Sequence, residues 1–272
     1  MRPELQNPHT LLDPVIKLAL VASEKIIEIY NTDFTVTQKD DCSPLTEADM
    51  AAHHIIVQGL QELTPELPVL SEEAECIPFA QRAMWQYYWL VDPLDGTREF
   101  IKRNGEFTVN IALIAGQQSV LGVICVPVTG VCYFASAKHG AYKQLPQNEP
   151  MRIHVRSCSG EQCTVVGSRS HRDNSLDDFI AKVGECEVLN VGSSLKSCLV
   201  AEGKADIYPR LGPTYEWDTA AAQCIVEEAG GRITDIHMQP LCYNTKESLL
   251  NPHFFAFGDV DQDWARFLPT IE

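Results

Sequence analysis

Apolar positions recur at helical spacing in the first part of the chain, and Asp13-Pro14 supplies a cap followed by proline at the first helical position. This pattern predicts a helix over 14–30. A second helix is predicted after Ser43-Pro44-Leu45, where Thr46-Glu47-Ala48-Asp49 has the form of a capping box. Ala52, Ile55, Ile56, Leu60 and Leu63 form its apolar stripe. Pro68-Val69-Leu70 is a short apolar run ahead of Ser71-Glu72-Glu73, and Trp89-Leu90-Val91 is another that stops at Asp92. Strands are predicted over 107–115, 119–128 and 131–135, with turns at Ala115-Gly116 and Thr129-Gly130.

The stretch 144–150, rich in Gln, Asn and Pro, has the composition of a linker. Beyond it strand and helix alternate. Strands are expected near 164–167, 188–191 and 206–208, and helices over 173–183, 195–202 and 218–229, the last with Asp218 as N-cap and Gly230-Gly231 as its stop. The reading is two halves sharing one interface: an α+β half over 1–150 and an α/β half over 151–272, with the boundary near 145–155.

Composition narrows the function. The 272 residues are 45% apolar and 21% charged, enough for a sizeable core, and the formal net charge is −16. A surface that acidic repels phosphate backbones, which argues against a nucleic-acid polymer as partner. An anionic small molecule would then need a local source of positive charge, and bound metal ions are the obvious one. Lys17, Glu24, Lys25 and Glu28 exclude a signal-peptide core in the first helix, and no run reaches the roughly 18 apolar residues of a membrane span. The ten cysteines include no C-x-x-C pair. They read as reduced, with Cys125 a small hydrophobe inside an apolar run, and the chain reads as cytoplasmic.

The densest chemical signal is Asp92-Pro93-Leu94-Asp95-Gly96-Thr97. Two carboxylates on one turn, with the Leu94 carbonyl between them, form a hard-oxygen set suited to Mg²⁺. The amides of Gly96 and Thr97 could face an anion where a helical turn begins. An ordinary Asx turn fits the same residues equally well. Ser71-Glu72-Glu73 reads either as a solvated loop or as a site, and Asp218 in Trp217-Asp218-Thr219 either as a helix cap or as a ligand. Asp49 likewise fits a capping box. All four acidic positions fall at strand ends or helix starts, where site residues of α/β folds gather.

Taken together, Asp92-Pro93-Leu94-Asp95-Gly96-Thr97 and Trp217-Asp218-Thr219-Ala220-Ala221 resemble the inositol monophosphatase superfamily of Mg²⁺-dependent, lithium-sensitive phosphomonoesterases. Three further stretches are similar to its 3′(2′),5′-bisphosphate nucleotidase branch, which serves bacterial sulfur assimilation. They run over 39–49, 192–196 (Gly192-Ser193-Ser194-Leu195-Lys196) and 201–210, the last ending in Tyr208-Pro209-Arg210. The resemblance implies a layered αβαβα sandwich and hydrolysis of the 3′(2′) phosphate by water activated at a site of two to three Mg²⁺ ions. It implies metal ligation by Glu72, Asp92, the Leu94 carbonyl, Asp95 and Asp218, and a water-activating pair of Thr97 and Asp49. Gly96 and Thr97 would hold the reacting phosphate, and Asp218 would also border the substrate. Lys196 and Arg210 would face the other phosphate, with Ser193, Ser194 and His171 near the nucleotide. Cys42 departs from the polar residue expected in its loop.

Such a site is physically coherent. Phosphate-monoester hydrolysis requires accelerations of up to about 10²¹-fold, and one side-chain base supplies only about 10²–10⁴. Charge neutralisation and in-line positioning by metals supply much of the rest. Two rivals stand beside this reading: an inositol or sugar monophosphatase with the same chemistry, and a nucleotide sensor without turnover. The implied protein works on a small molecule as a monomer or homodimer.

Overall fold

The computed structural model describes residues 5, 7–38, 44–157, 163–170 and 174–268. The loop containing Cys42, most of the 39–49 stretch before Thr46, and His171 therefore lie outside the described residues. The helices are α1 (Leu12–Tyr30), α2 (Glu47–Leu63), α3 (Phe79–Arg82), α4 (Thr97–Ile101), α5 (Asn174–Val183), α6 (Leu195–Ala201) and α7 (Glu216–Glu228). Strands β1 (Val36–Gln38) and β2 (Pro44–Thr46) form a small antiparallel pair beside α2.

A seven-stranded sheet takes its strands in chain order: β3 (Val69–Ser71), β4 (Tyr87–Asp95), β5 (Thr108–Ala115), β6 (Gln118–Val126), β7 (Val131–Ser136), β8 (Ala141–Gln144) and β9 (Met151–Ile153). Only its β3–β4 pairing is parallel. After Ile153 the chain builds a five-stranded sheet from β10 (Cys163–Ser168), β11 (Cys186–Val191), β12 (Ile207–Arg210), β13 (Arg232–Asp235) and β14 (Phe254–Phe257). Its order is β11-β10-β12-β14-β13, parallel through β12 and antiparallel beyond.

Three apolar clusters define the layers. One packs α1 and α2 on the outer face of the large sheet, and a second holds α6 and α7 between the sheets. The third packs α5 and a 3₁₀ turn at Trp264–Phe267 on the outer face of the small sheet. Helix, sheet, helix, sheet and helix follow in sequence, as the αβαβα expectation requires. Because both faces of the large sheet are covered, β4 and β5 are buried almost throughout and read as continuous apolar runs. Helix α7 is buried over nine of its thirteen residues. Its alanines let it lie directly on the sheet: a Cβ added at Gly122 of β6 would stand 2.2 Å from the Ala221 carbonyl oxygen.

Several expectations are corrected. Helix α1 begins at Leu12, after a 3₁₀ turn over Pro8–Leu11, so Asp13 sits inside it and is not its cap. The apolar run at Trp89 stops at Asp92 as read, and the strand that carries it, β4, continues to Asp95, its register shifting between those two aspartates. The segment 144–150 is no linker but the connection of the β8–β9 hairpin, where pairing within the sheet overrides loop composition. Strands β13 and β14 were not expected, although Phe254-Phe255-Ala256-Phe257 ahead of Gly258 is a short apolar run of the kind that forms a buried strand. Asp218 is not the N-cap of α7; that place belongs to Tyr215, and Asp218 is the third helical residue, its carboxylate accepting from the Tyr215 amide at 2.8 Å. Finally, Cys125 and Cys132 are joined in a disulfide rather than reduced. They face each other across β6 and β7 with Cα atoms 4.1 Å apart, within reach of a bridge that sequence spacing could not reveal. Cys76, Cys186, Cys198, Cys224 and Cys242 are free thiols.

The contact at Gly122 generates a prediction. Gly122→Ala forces the sheet and α7 apart, and overpacking of this kind costs about 1–3 kcal/mol. In a chain of this size that corresponds to a melting temperature lower by about 5 °C. An unchanged melt by circular dichroism would contradict so close an approach.

Candidate active site

Burial sets the site's chemistry. Asp92 ends the apolar part of β4 and is 1% exposed. The irregularity between Asp92 and Asp95 turns the strand end so that both carboxylates serve one region, as bulges beside functional sites do. Gly96 follows with a φ of +93°, a left-handed conformation that glycine adopts without strain. A Cβ there would also crowd the Glu106 carbonyl and the Ser193 Cβ, at 3.2 and 3.3 Å. The turn of the first sheet and the Gly192–Ser194 loop of the second thus meet face to face.

Glu72 follows β3, and Asp218 lies in the first turn of α7. Together with Asp92 they bring one carboxylate oxygen each to within 4.8 Å of the others. Burial pushes the Asp92 carboxyl well above the usual range, and the charges of Glu72, Asp95 and Asp218 push it further. Asp218 is raised in the same way, first by burial and then by Asp95 and Glu72. Crowded, partly desolvated carboxylates of this kind fit a hard divalent cation: the donors are all oxygen, and the repulsion among them is what such an ion relieves. Asp95 joins the cluster through Ser194, whose hydroxyl donates to Asp95 Oδ2 at 2.6 Å and lies 2.9 Å from the Asp218 carbonyl oxygen.

Beside the cluster, Thr97 Oγ1 donates to Asp49 Oδ1 at 3.1 Å, and the Leu94 carbonyl lies 3.4 Å from the same hydroxyl. Asp49 is 1% exposed. Its Oδ2 accepts from the Thr46 amide at 2.7 Å and the Thr46 hydroxyl at 2.5 Å. The capping box read from the sequence is therefore present, and it orients the acid that Thr97 addresses. The proton of Thr97 is committed to Asp49, which leaves the lone pairs of Oγ1 to accept from a water in the cavity.

These groups open on a cavity of about 570 Å³. Glu72, Asp92, Leu94, Asp95, Gly96, Thr97 and Asp218 line one side, and Ser193, Ser194, Lys196 and Arg210 another. Asp49 stands one hydrogen bond behind Thr97. Lys196 is 7% exposed, and its Nζ donates to the Ser193 carbonyl at 2.6 Å and lies 5.3 Å from the Tyr208 ring centroid. Burial pulls its ammonium down to about 8, against the opposing pull of Asp95. Arg210 donates Nη2 to the Pro213 carbonyl at 2.8 Å, while its buried Nε has no partner among the described residues.

Two residues of the site escaped the sequence reading. Thr46 was visible as a cap, but not as the second donor to Asp49. Asn110 interrupts the apolar β5, and that interruption was the available signal; its Nδ2 donates to Ser194 Oγ at 2.9 Å.

The comparisons agree with this geometry. The pattern of the inositol monophosphatase family matches residues 7–259. The chain is 48% identical over 246 residues to the 3′(2′),5′-bisphosphate nucleotidase CysQ of Escherichia coli strain K12, covering 90% of this chain and 98% of that one. It is 40% identical over 260 residues to the CysQ nucleotidase of Haemophilus influenzae, covering 95% and 96%. Among solved structures, CysQ of Bacteroides thetaiotaomicron matches with a TM-score of 0.78 and 44% identity, over 90% of this chain and 96% of that one. An inositol monophosphatase of Zymomonas mobilis shares the fold, at a TM-score of 0.76 and 24% identity, over 98% of this chain and 99% of that one. Among the described residues no helix is long and apolar enough to cross a membrane. With its layered sandwich, its acidic cluster and relatives of this likeness, the chain belongs to the inositol monophosphatase family.

Proposed function

We propose that the protein is a cytoplasmic phosphomonoesterase of sulfur assimilation, dependent on two to three Mg²⁺ ions, that removes the 3′(2′) phosphate of an adenosine 3′(2′),5′-bisphosphate. Water attacks phosphorus, the phosphorus–ribose oxygen bond breaks, and AMP and phosphate leave. One observation carries the reading: a single cavity joins a crowded carboxylate cluster and a Thr97–Asp49 pair to two nearly buried cations, Lys196 and Arg210. The first two features suit hydrolysis of a monoester, and the last suits a substrate with a second phosphate.

Glu72, Asp92, Asp95, Asp218 and the Leu94 carbonyl would hold the metal. When bound, Mg²⁺ supplies positive charge to the phosphoryl oxygens and lowers the pKa of coordinated water. Thr97 Oγ1 takes the proton from the attacking water as it passes its own to Asp49. Asp49 is held for that role by the Thr46 amide and hydroxyl. Gly96 and Thr97 border the reacting phosphate, with Ser193 and Asp218 beside it. Arg210 offers its unpartnered Nε and Lys196 its ammonium to the other phosphate, where charge-assisted bonds are roughly twice as strong as neutral ones. Bound Mg²⁺ would offset the carboxylates of the site, and Lys196 and Arg210 add positive charge locally for the other phosphate.

The direct test is phosphate release from 3′-phosphoadenosine 5′-phosphate and from inositol 1-phosphate, each in Mg²⁺ and in EDTA. Metal-dependent turnover favouring the nucleotide is expected. Preference for inositol phosphate would shift the assignment to the monophosphatase rival, and no turnover of either would favour the sensor.

Three variants sharpen the test. In EDTA at neutral pH the raised carboxyl of Asp92 opposes folding, since stability falls as pH climbs from its unfolded toward its folded pKa. Asp92→Asn relieves that repulsion and is expected to melt higher without metal, by about 2–4 °C for each kcal/mol relieved. It should also lose the Mg²⁺-induced rise shown by the parent. Arg210→Ala is expected to raise KM for the bisphosphate about tenfold or more, and that for 3′-AMP far less; equal losses would remove the second-phosphate role. As pH rises through about 8 the Lys196 ammonium loses its charge, so kcat/KM for the bisphosphate should fall above that point. Lys196→Met should abolish that alkaline limb, and its persistence would assign the limb to another group.

A further inference from the structure

Ser194 is the residue before α6, a position where a serine side chain ordinarily caps the helix. Here it makes no capping bond. Its hydroxyl instead lies 2.6 Å from Asp95 Oδ2 and 2.9 Å from the Asp218 carbonyl, and it accepts from Asn110 Nδ2 at 2.9 Å. A hydroxyl has one proton to give. With Asn110 supplying a donor from one side, that proton goes to the nearer, anionic acceptor, Asp95. Asn110 Nδ2 also lies 3.4 Å from Asp95 Oδ2. Two donors thus converge on one oxygen of Asp95, and Oδ1 is left for the cavity.

Asn110 is placed there at a cost. It is 1% exposed in a strand otherwise built for the core, and its Oδ1 has no hydrogen-bond partner among the described residues. Leaving a buried acceptor unsatisfied costs about 1–3 kcal/mol, which an apolar side chain would avoid. Its amide hydrogens, not its packing, account for its presence.

We propose that Ser194, held by Asn110, is a positioning residue that fixes which oxygen of Asp95 faces the metal. This rests on the reading of Asp95 as a metal ligand. The arrangement spans both sheets: Asp95 and Asn110 come from the large one, and Ser194 from the connection that follows β11 of the small one. The geometry of the ligand set then depends on the contact between the halves.

The test measures Mn²⁺ and Mg²⁺ binding to the protein alone by titration calorimetry, alongside kinetics. Removing a residue that orients a ligand lowers metal affinity about 10- to 100-fold. Ser194→Ala is expected to weaken metal binding by about tenfold and to raise the Mg²⁺ concentration for half-maximal rate equally. KM for the nucleotide at saturating Mg²⁺ should stay within about twofold. Ser194→Thr, which keeps the hydroxyl, should restore binding, and Asn110→Ala should weaken it by a smaller factor. Thermal melts establish that each variant folds. Ser194→Ala with parental metal affinity overturns the proposal. So does a loss confined to nucleotide KM, which would make Ser194 a substrate contact. Asp95→Asn separates the two claims: if it binds metal normally, the reading of Asp95 falls and the proposal with it. If it loses metal while Ser194→Ala does not, only the positioning role falls.

Discussion

Like charges held together in a dry place are the constraint on which this molecule turns. Glu72, Asp92 and Asp218 bring oxygens within 4.8 Å of one another, with Asp95 close enough to add to the repulsion. Left to themselves these groups would separate or take up protons. The fold prevents separation by fastening each to an element that cannot move cheaply. Asp92 belongs to a strand buried on both faces, and Asp218 to a helix enclosed between two sheets. The 2.2 Å that a Cβ at Gly122 would leave to the Ala221 carbonyl shows how little play that helix has. Core packing here serves the site as much as it serves stability.

The same constraint explains what could be read from the sequence. Local rules were legible: the capping box at Thr46–Asp49, the glycine stop after α7 and the strands expected over 107–115 and 119–128, found at Thr108–Ala115 and Gln118–Val126, each depend on residues a few positions apart. The family resemblance drew on the same kind of information, short motifs at turns, and the αβαβα layering it implied is the layering observed. What could not be read depends on distant partners. Strands β13 and β14 are four residues each and pair across eighteen intervening positions, a range at which no periodicity speaks. The disulfide depends on a cross-strand register, and the hairpin at 144–150 on a sheet edge waiting to receive β9. The importance of Asn110 depends on Ser194, a residue from the other sheet's half.

Charge shows a similar division between total and place. A formal charge of −16 describes the chain as a whole and argues against a basic, polymer-binding surface, yet it says nothing about the cavity. Lys196 and Arg210 sit nearly buried on its wall, where lower effective dielectric makes each charge count for more than it would in solvent. Burial taxes Lys196 for that advantage by lowering its pKa toward the neutral range. The positive charge that this wall of the cavity offers is therefore pH-sensitive.

A single device recurs among the acids. Asp49 and Asp218 are both third residues of helices, and each gives one oxygen to the amide of the residue before its helix. Asp92 accepts from the Leu94 amide at 3.0 Å through Oδ1. Asp95, which lies at a strand end and has no helix to cap, receives its donor from Ser194 instead. In each of the four a hydrogen bond fixes one oxygen, and in Asp49 the other oxygen accepts from Thr97. That is why capping and function could not be told apart in the sequence: they are two ends of one carboxylate. A helix cap holds an acid in a single orientation with local residues alone, so a site built from capping acids inherits rigidity from secondary structure. Asp95 lacks that inheritance, and its orientation must come from across the interface between the two sheets.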